Sequence, residues 1–168
     1  LGDVYKRQGV RWSDGHPFSA DDILFWYQDV LQNEDLTPVI PIEYRKGGQT
    51  VSCEKIDDYT IRFRFAEPYG LFLKQLASNL SYQIVYYPAH YLKNFHPHYQ
   101  PIEELEKQAR TDGKDFWYQL FQDRLDYRNV DCPRLWAWTV SRPPPERPAE
   151  FVRNPYYWKV DPEGRQLP

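Results

Sequence analysis

Apolar and polar positions alternate at the start of the chain and then switch to helical spacing. Val10 and Trp12 alternate with Arg11 and Ser13, which predicts the end of a strand. Ser13-Asp14-Gly15 then supplies turn chemistry, a short polar side chain able to bond its own backbone followed by a residue free to take positive φ. Ser19 is a good helix N-cap, with Asp22 in the capping-box position and Phe18 and Ile23 spaced as a hydrophobic staple. Asp21 and Asp22 also favour the positive helix N-terminus, by about 0.3–1 kcal/mol each. Ile23, Trp26, Tyr27, Val30 and Leu31 mark one face of a helix reaching to about residue 33. The two aspartates therefore have a structural explanation that needs no catalytic or metal role.

Residues 34–49, with Pro38, Pro41, Gly47 and Gly48, read as an irregular connection. A hairpin comes next. Val51, Cys53 and Ile56 lie on its first strand, Asp57-Asp58 form its turn, and Tyr59, Ile61, Phe63 and Phe65 alternate with Thr60, Arg62 and Arg64 on its second. Pro68 introduces a helix with Leu71, Phe72, Leu76 and Leu80 on one face. Ile84–Tyr87 reads as a short strand and Pro88–Lys93 as a single helical turn. Two more helices are expected, one marked by Ile102, Leu105 and Ala109, the other by Phe116, Leu120 and Phe121 and ending near Arg124. Leu135–Thr139 is expected to be extended, Arg142–Pro148 to be polyproline-like because each ring fixes φ and removes a donor, and Glu150–Arg153 to be a strand. Asn154-Pro155 then turns the chain into the aromatic cluster Tyr156-Tyr157-Trp158. This order of elements predicts a mixed α/β or α+β fold.

The totals narrow the function. The chain has 168 residues, of which 41% are hydrophobic and 27% charged, so a folded core is expected. The net charge is −3 with no basic stripe, which argues against nucleic acid as a partner. Aromatic residues reach 17%, enough to stack on sugars or peptides as well as to fill cores. Cys53 and Cys132 are too few for a disulfide scaffold or a zinc site, and the sequence leaves open whether they pair. There is no apolar run of the roughly 20 residues that a membrane span needs.

There is no Gly-rich phosphate loop and no Gly-x-Ser-x-Gly elbow. His96-Pro97-His98 could offer two imidazoles to a metal, but the proline restricts them, no Cys or carboxylate lies at familiar ligand spacing, and exposed loop histidines are the simpler reading. The sequence thus points to no catalytic residue, no metal and no cofactor. Residues 1–8 share no periodicity with the rest of the chain. Asp3–Gln8 back-translates to GAT GTG TAT AAG AGA CAG, which resembles a transposon-end sequencing adapter. Residues 1–8 are therefore expected to be foreign, and residues 9–168 to be a partial domain truncated at both ends.

Three stretches resemble the family 5 extracellular solute-binding proteins, the oligopeptide, dipeptide and nickel receptors of ABC importers. The first is GVRWSDGHPFSADDILFWYQDV, residues 9–30, where Gly9, Val10, Trp12, Asp14, Gly15, Pro17 to Asp22 and Phe25 or Tyr27 fit the family's strand-turn-helix. The second runs from Asp57 to Phe65 with Glu67-Pro68 and is followed by Tyr87-Pro88-Ala89-His90-Tyr91-Leu92. The third is Val152–Trp158, with Val152 in place of the usual acid, followed by Asp161–Pro168. Residues 97–131 resemble an insertion, and Asp131–Trp138 stands where the family commonly has Gly-x-Gly-x-Tyr.

The resemblance implies a partial first lobe of a two-lobed, periplasmic-binding-protein type II clamshell. It implies a monomer outside the cytoplasmic membrane, periplasmic or extracellular, with lipid anchoring left open. Such a receptor captures a peptide or similar small solute and delivers it to the permease subunits without chemistry. Tyr44, Trp136 and Trp138 are the candidate ligand contacts, each with plain packing as the alternative. The rival functions are a carbohydrate-active enzyme or sugar-binding module, and an interaction module that uses the proline run.

Overall fold

The computed structural model describes residues 2–5 and 9–166. The chain divides into two compact units, one of Leu1–Gln8 with Ser19–Ala89 and one of Gly9–Phe18 with His90–Pro168. Both mix helix and strand, as expected.

In the first unit, helix α1 (Ala20–Phe25) starts where the sequence predicts. Ser19 takes an extended conformation, its hydroxyl accepts from the Asp21 N–H at 3.2 Å, and its own N–H donates to the Asp22 carboxylate at 2.9 Å. The helix continues as a wider π-turn over Trp26–Leu31. Ile23, Trp26, Val30 and Leu31 are buried, so the predicted face is the core face, and the helix ends two residues earlier than expected. Asp22 also accepts the Ala89 N–H at 3.0 Å, which gives this buried carboxylate a structural role.

Strands β1 (Gly2–Tyr5), β4 (Ser52–Asp57) and β5 (Thr60–Arg64) form an antiparallel sheet in the order β1-β5-β4. The β4–β5 turn falls on Asp58-Tyr59, one residue later than expected. The Asp57 carboxylate fixes it by accepting the Tyr59 N–H at 2.7 Å. Asp58 returns its carbonyl to the Ala20 N–H at 2.8 Å, and Lys55 binds Asp21 and Asp58, both at 2.8 Å.

Three expectations in this unit change. The connection 34–49 carries a 3₁₀ turn (Ile42–Tyr44) and a small hairpin, β2 (Arg45–Lys46) with β3 (Gln49–Thr50). Gly47 and Gly48 both take positive φ, 59° and 75°, which lets a two-residue turn match the strand twist. Residues 84–87 form no strand: a 3₁₀ helix covers Asn79–Val85. A four-residue apolar run has no period long enough to separate strand from helix. The helix expected after Pro68 is the short α2 (Phe72–Leu76), with Phe72 buried and Leu71 and Leu73 exposed. The side chain of Leu80, placed on that helix by sequence, lies outside the described residues.

In the second unit, residues 10–18 close a tight loop rather than a strand end. Phe18 donates to the Val10 carbonyl at 2.9 Å, and Arg11 bridges to Pro17. The turn expected over Pro88–Lys93 is α3 (Ala89–Leu92), which runs into a 3₁₀ turn (Lys93–Phe95). Helices α4 (Ile102–Thr111) and α5 (Trp117–Leu125) come next, bury Leu105, Ala109, Trp117, Leu120 and Phe121, and are tied by Arg124 to Asp112 and by Lys114 to Asp123. His96 is fully buried here, its ring edge-on to Trp117 at 5.3 Å and to Phe121 at 5.9 Å, so it is no exposed loop histidine. Strands β6 (Trp138–Arg142) and β7 (Glu150–Arg153) form a hairpin. The proline run between them reverses the chain through turns and bends, and the Arg142–Glu150 ion pair at 2.9 Å closes its base, so it is not one continuous polyproline helix.

Candidate functional site

The first and third motif segments, with His90 from the turn that follows the second, contribute residues to one junction in the second unit. Within the first, the Trp12–His16 turn closes on itself: Trp12 donates to the His16 carbonyl and Gly15 to the Trp12 carbonyl, both at 2.9 Å. Gly15 takes φ +89°, and a Cβ there would meet the Tyr156 ring at 2.9 Å, so this position needs glycine twice over. Asp14 ties the turn together. Its carboxylate accepts the His16 N–H at 3.0 Å and lies 2.7 Å from His90 Nε2. The two imidazoles stack at 3.9 Å and 9°. His16 Nδ1 lies 3.0 Å from the Pro17 carbonyl, which only accepts, so that nitrogen carries a proton. Burial works to raise the Asp14 pKa, but the hydrogen bonds from His16 and His90 and their charge prevail and hold it below 3.8.

The irregular segment before β6 is held by Ser13 and Asn154. Ser13 exchanges two bonds with Arg134: its N–H donates to the Arg134 carbonyl and its hydroxyl accepts the Arg134 N–H, both at 2.9 Å. Asn154 Nδ2 donates to the carbonyls of Trp136 at 2.9 Å and Arg134 at 3.4 Å, and the Asn154 N–H donates to Ala137 at 2.9 Å. Asn154 Oδ1 accepts the Tyr156 N–H at 2.9 Å. The Arg134 guanidinium, anchored on the carbonyls of Leu125 and Asp126, lies 5.1 Å from the centre of the Trp136 ring.

The candidate ligand contacts fall in different settings. Trp136 and Trp138 both belong to this unit and stay 43% and 46% exposed. Trp138 is on β6 opposite Arg153. Tyr44 belongs to the first unit, is 3% exposed and packs edge-on against Trp26 at 5.1 Å. Sequence reasoning missed Ser13, Arg134 and Asn154 as organisers. The available signal was Asn154 itself, an amide before a proline at a turn, and amides in that position commonly bond nearby backbone. Cys53 and Cys132 are both free thiols, and burial pushes them up to about 12 and about 11.

A mixed fold built on these three motif segments defines a solute-binding protein. The chain belongs to family 5 of the bacterial extracellular solute-binding proteins, whose middle-region description matches residues 5–167. Its fold is part of the periplasmic-binding-protein type II domain of that family. It is similar to an oligopeptide-binding protein, OppA, at 44% identity and TM-score 0.88 over 99% of this chain and 25% of that one. It is also similar to MelB of Agrobacterium fabrum C58, solved in complex with stachyose, at 31% identity and TM-score 0.69, over 99% of this chain and 23% of that one. The periplasmic alpha-galactoside-binding protein of Rhizobium meliloti strain 1021 is 32% identical over 162 residues, 96% of this chain and 21% of that protein. This chain therefore spans about a quarter or less of the length of these relatives. The family and these relatives are solute-binding proteins, not enzymes.

Proposed function

We propose that the chain is one part of a two-lobed receptor that captures a peptide outside the cytoplasmic membrane and hands it to ABC permease subunits. The observation that carries this reading is the 44% identity to an oligopeptide-binding protein across nearly the whole chain. Residues 9–168 carry the three motif segments, and residues 1–8, of which 5–8 fall inside the family match, are read as adapter-encoded from their sequence alone. The receptor works as a monomer, periplasmic or extracellular, with or without a lipid anchor, and it turns over no substrate. Trp136 and Trp138 supply stacking surface to the ligand. Tyr44 enters with less support, because it is buried and its ring is packed against Trp26.

A second reading, capture of an oligosaccharide, is favoured by the alpha-galactoside-binding relative and the stachyose complex. Exposed indoles suit either ligand, since a π face stacks on sugar rings and on peptide side chains alike. Calorimetric titration of the full-length receptor with a casein digest and with stachyose separates the two. Heat from peptides at one site per protein supports the first reading, and heat from stachyose alone moves the assignment to the second.

A further inference from the structure

We infer that Asn154 is the positioning residue of the ligand site: it holds the backbone of Arg134–Ala137 so that the Trp136 indole is presented in one orientation before ligand arrives. This rests on the reading of Trp136 as a ligand contact. The segment Leu135–Ala137 precedes β6 and lies outside any strand ladder, so its conformation is set by individual hydrogen bonds. Asn154 makes three of them, to the carbonyls of Arg134, Trp136 and Ala137. Asn154 is itself fully buried and fixed in turn, because Oδ1 accepts the Tyr156 N–H at 2.9 Å and its carbonyl accepts Gln166 Nε2 at 3.0 Å.

That geometry assigns the amide without ambiguity: two carbonyls need the NH₂ end and one N–H needs the oxygen end. No aspartate can replace it, since a carboxylate would face two carbonyl oxygens. Ser13 completes the clamp through the backbone of Arg134, whose guanidinium lies over the indole. A platform ordered in advance costs less to order on binding, so the clamp raises affinity without touching ligand.

The test uses the full-length receptor labelled with 5-fluorotryptophan, the Trp136 resonance being assigned by Trp136→Phe. In Asn154→Asp the Trp136 fluorine line shifts by more than its width or broadens, while the unfolding transition stays cooperative. A Trp136 line unmoved in that variant overturns the inference. If Asn154→Asp does not fold, Asn154→Ser, too short to reach both carbonyls, is read in the same way.

Titration with stachyose and with tetra-alanine separates the two claims. Whichever probe binds is expected to bind about tenfold more weakly to Asn154→Asp, and that loss disappears when Trp136 is already Ala. Losses that simply add overturn the positioning role. Unaltered affinity in Trp136→Ala overturns the contact reading instead, and the fluorine line still decides the positioning by itself.

Discussion

Every polar atom of Asn154 is used although none of the residue reaches solvent. Buried polar groups are tolerated only when satisfied, and removing one partner leaves the others unpaired at about 1–3 kcal/mol each. At the opposite extreme is Asp14, half open to water, whose hydrogen bonds to His16 and His90 outweigh its partial burial and hold its pKa below the ordinary 3.8. A carboxylate depressed on folding adds stability above its unfolded value and loses it as pH falls through its folded value. Asp14→Asn should therefore flatten the stability profile below about pH 4 and cost well under 1 kcal/mol at neutral pH, because solvent screens the pair. Denaturant midpoints measured at pH 3, 4 and 7 check this.

The thiols behave in the opposite sense. Burial raises Cys53 and Cys132 from 9.0 to about 12 and about 11. Both should resist Ellman's reagent at pH 8 in the native protein and react together on unfolding. The stability they carry is complete below pH 9 and is lost as pH rises from there toward 11 and 12. The sequence showed Asp14 as a turn residue, but not that His90, 76 residues away, would meet it. Nothing in a one-dimensional pattern encodes that return of the chain.

At the scale of elements, the helix start at Ser19 was legible because a capping box is a local rule with a fixed spacing. Ser19→Ala should lower stability by about 1 kcal/mol, read from a urea midpoint shift at unchanged slope. The Trp12–His16 turn is more demanding. Gly15→Ala combines a positive φ with a close approach to Tyr156 and should cost about 1–2 kcal/mol by the same measurement. Two of the misread elements follow rules that are not local. Residues 84–87 form no strand because Ile84 is buried from a helical register, and a run of four residues cannot announce that. The proline run reverses the chain because β6 and β7 pair on either side of it, and that pairing outweighs the intrinsic polyproline preference. The hairpin at Gly47-Gly48 could have been read from its two adjacent glycines.

At the scale of the whole molecule, the fold class and the family were legible in three motif segments, whereas the surroundings of the three candidate contacts were not. Trp136 and Trp138 stand out by composition and remain exposed, but Tyr44 is drawn into the core against Trp26, an outcome that depends on tertiary packing. Several large apolar side chains stay open to solvent, among them Leu71, Leu73, Phe151 and Val152. Expressed alone, residues 9–168 should melt with weak cooperativity or aggregate, which calorimetry and light scattering would register.

The full-length receptor is proposed to capture a solute and release it unchanged. The most direct measurement is native mass spectrometry of the full-length receptor after incubation with a casein digest and with stachyose. One-to-one complexes with intact peptides, recovered at their original masses, are expected. Peptides or sugar recovered cleaved, or a receptor that stays ligand-free with both, would contradict that proposal.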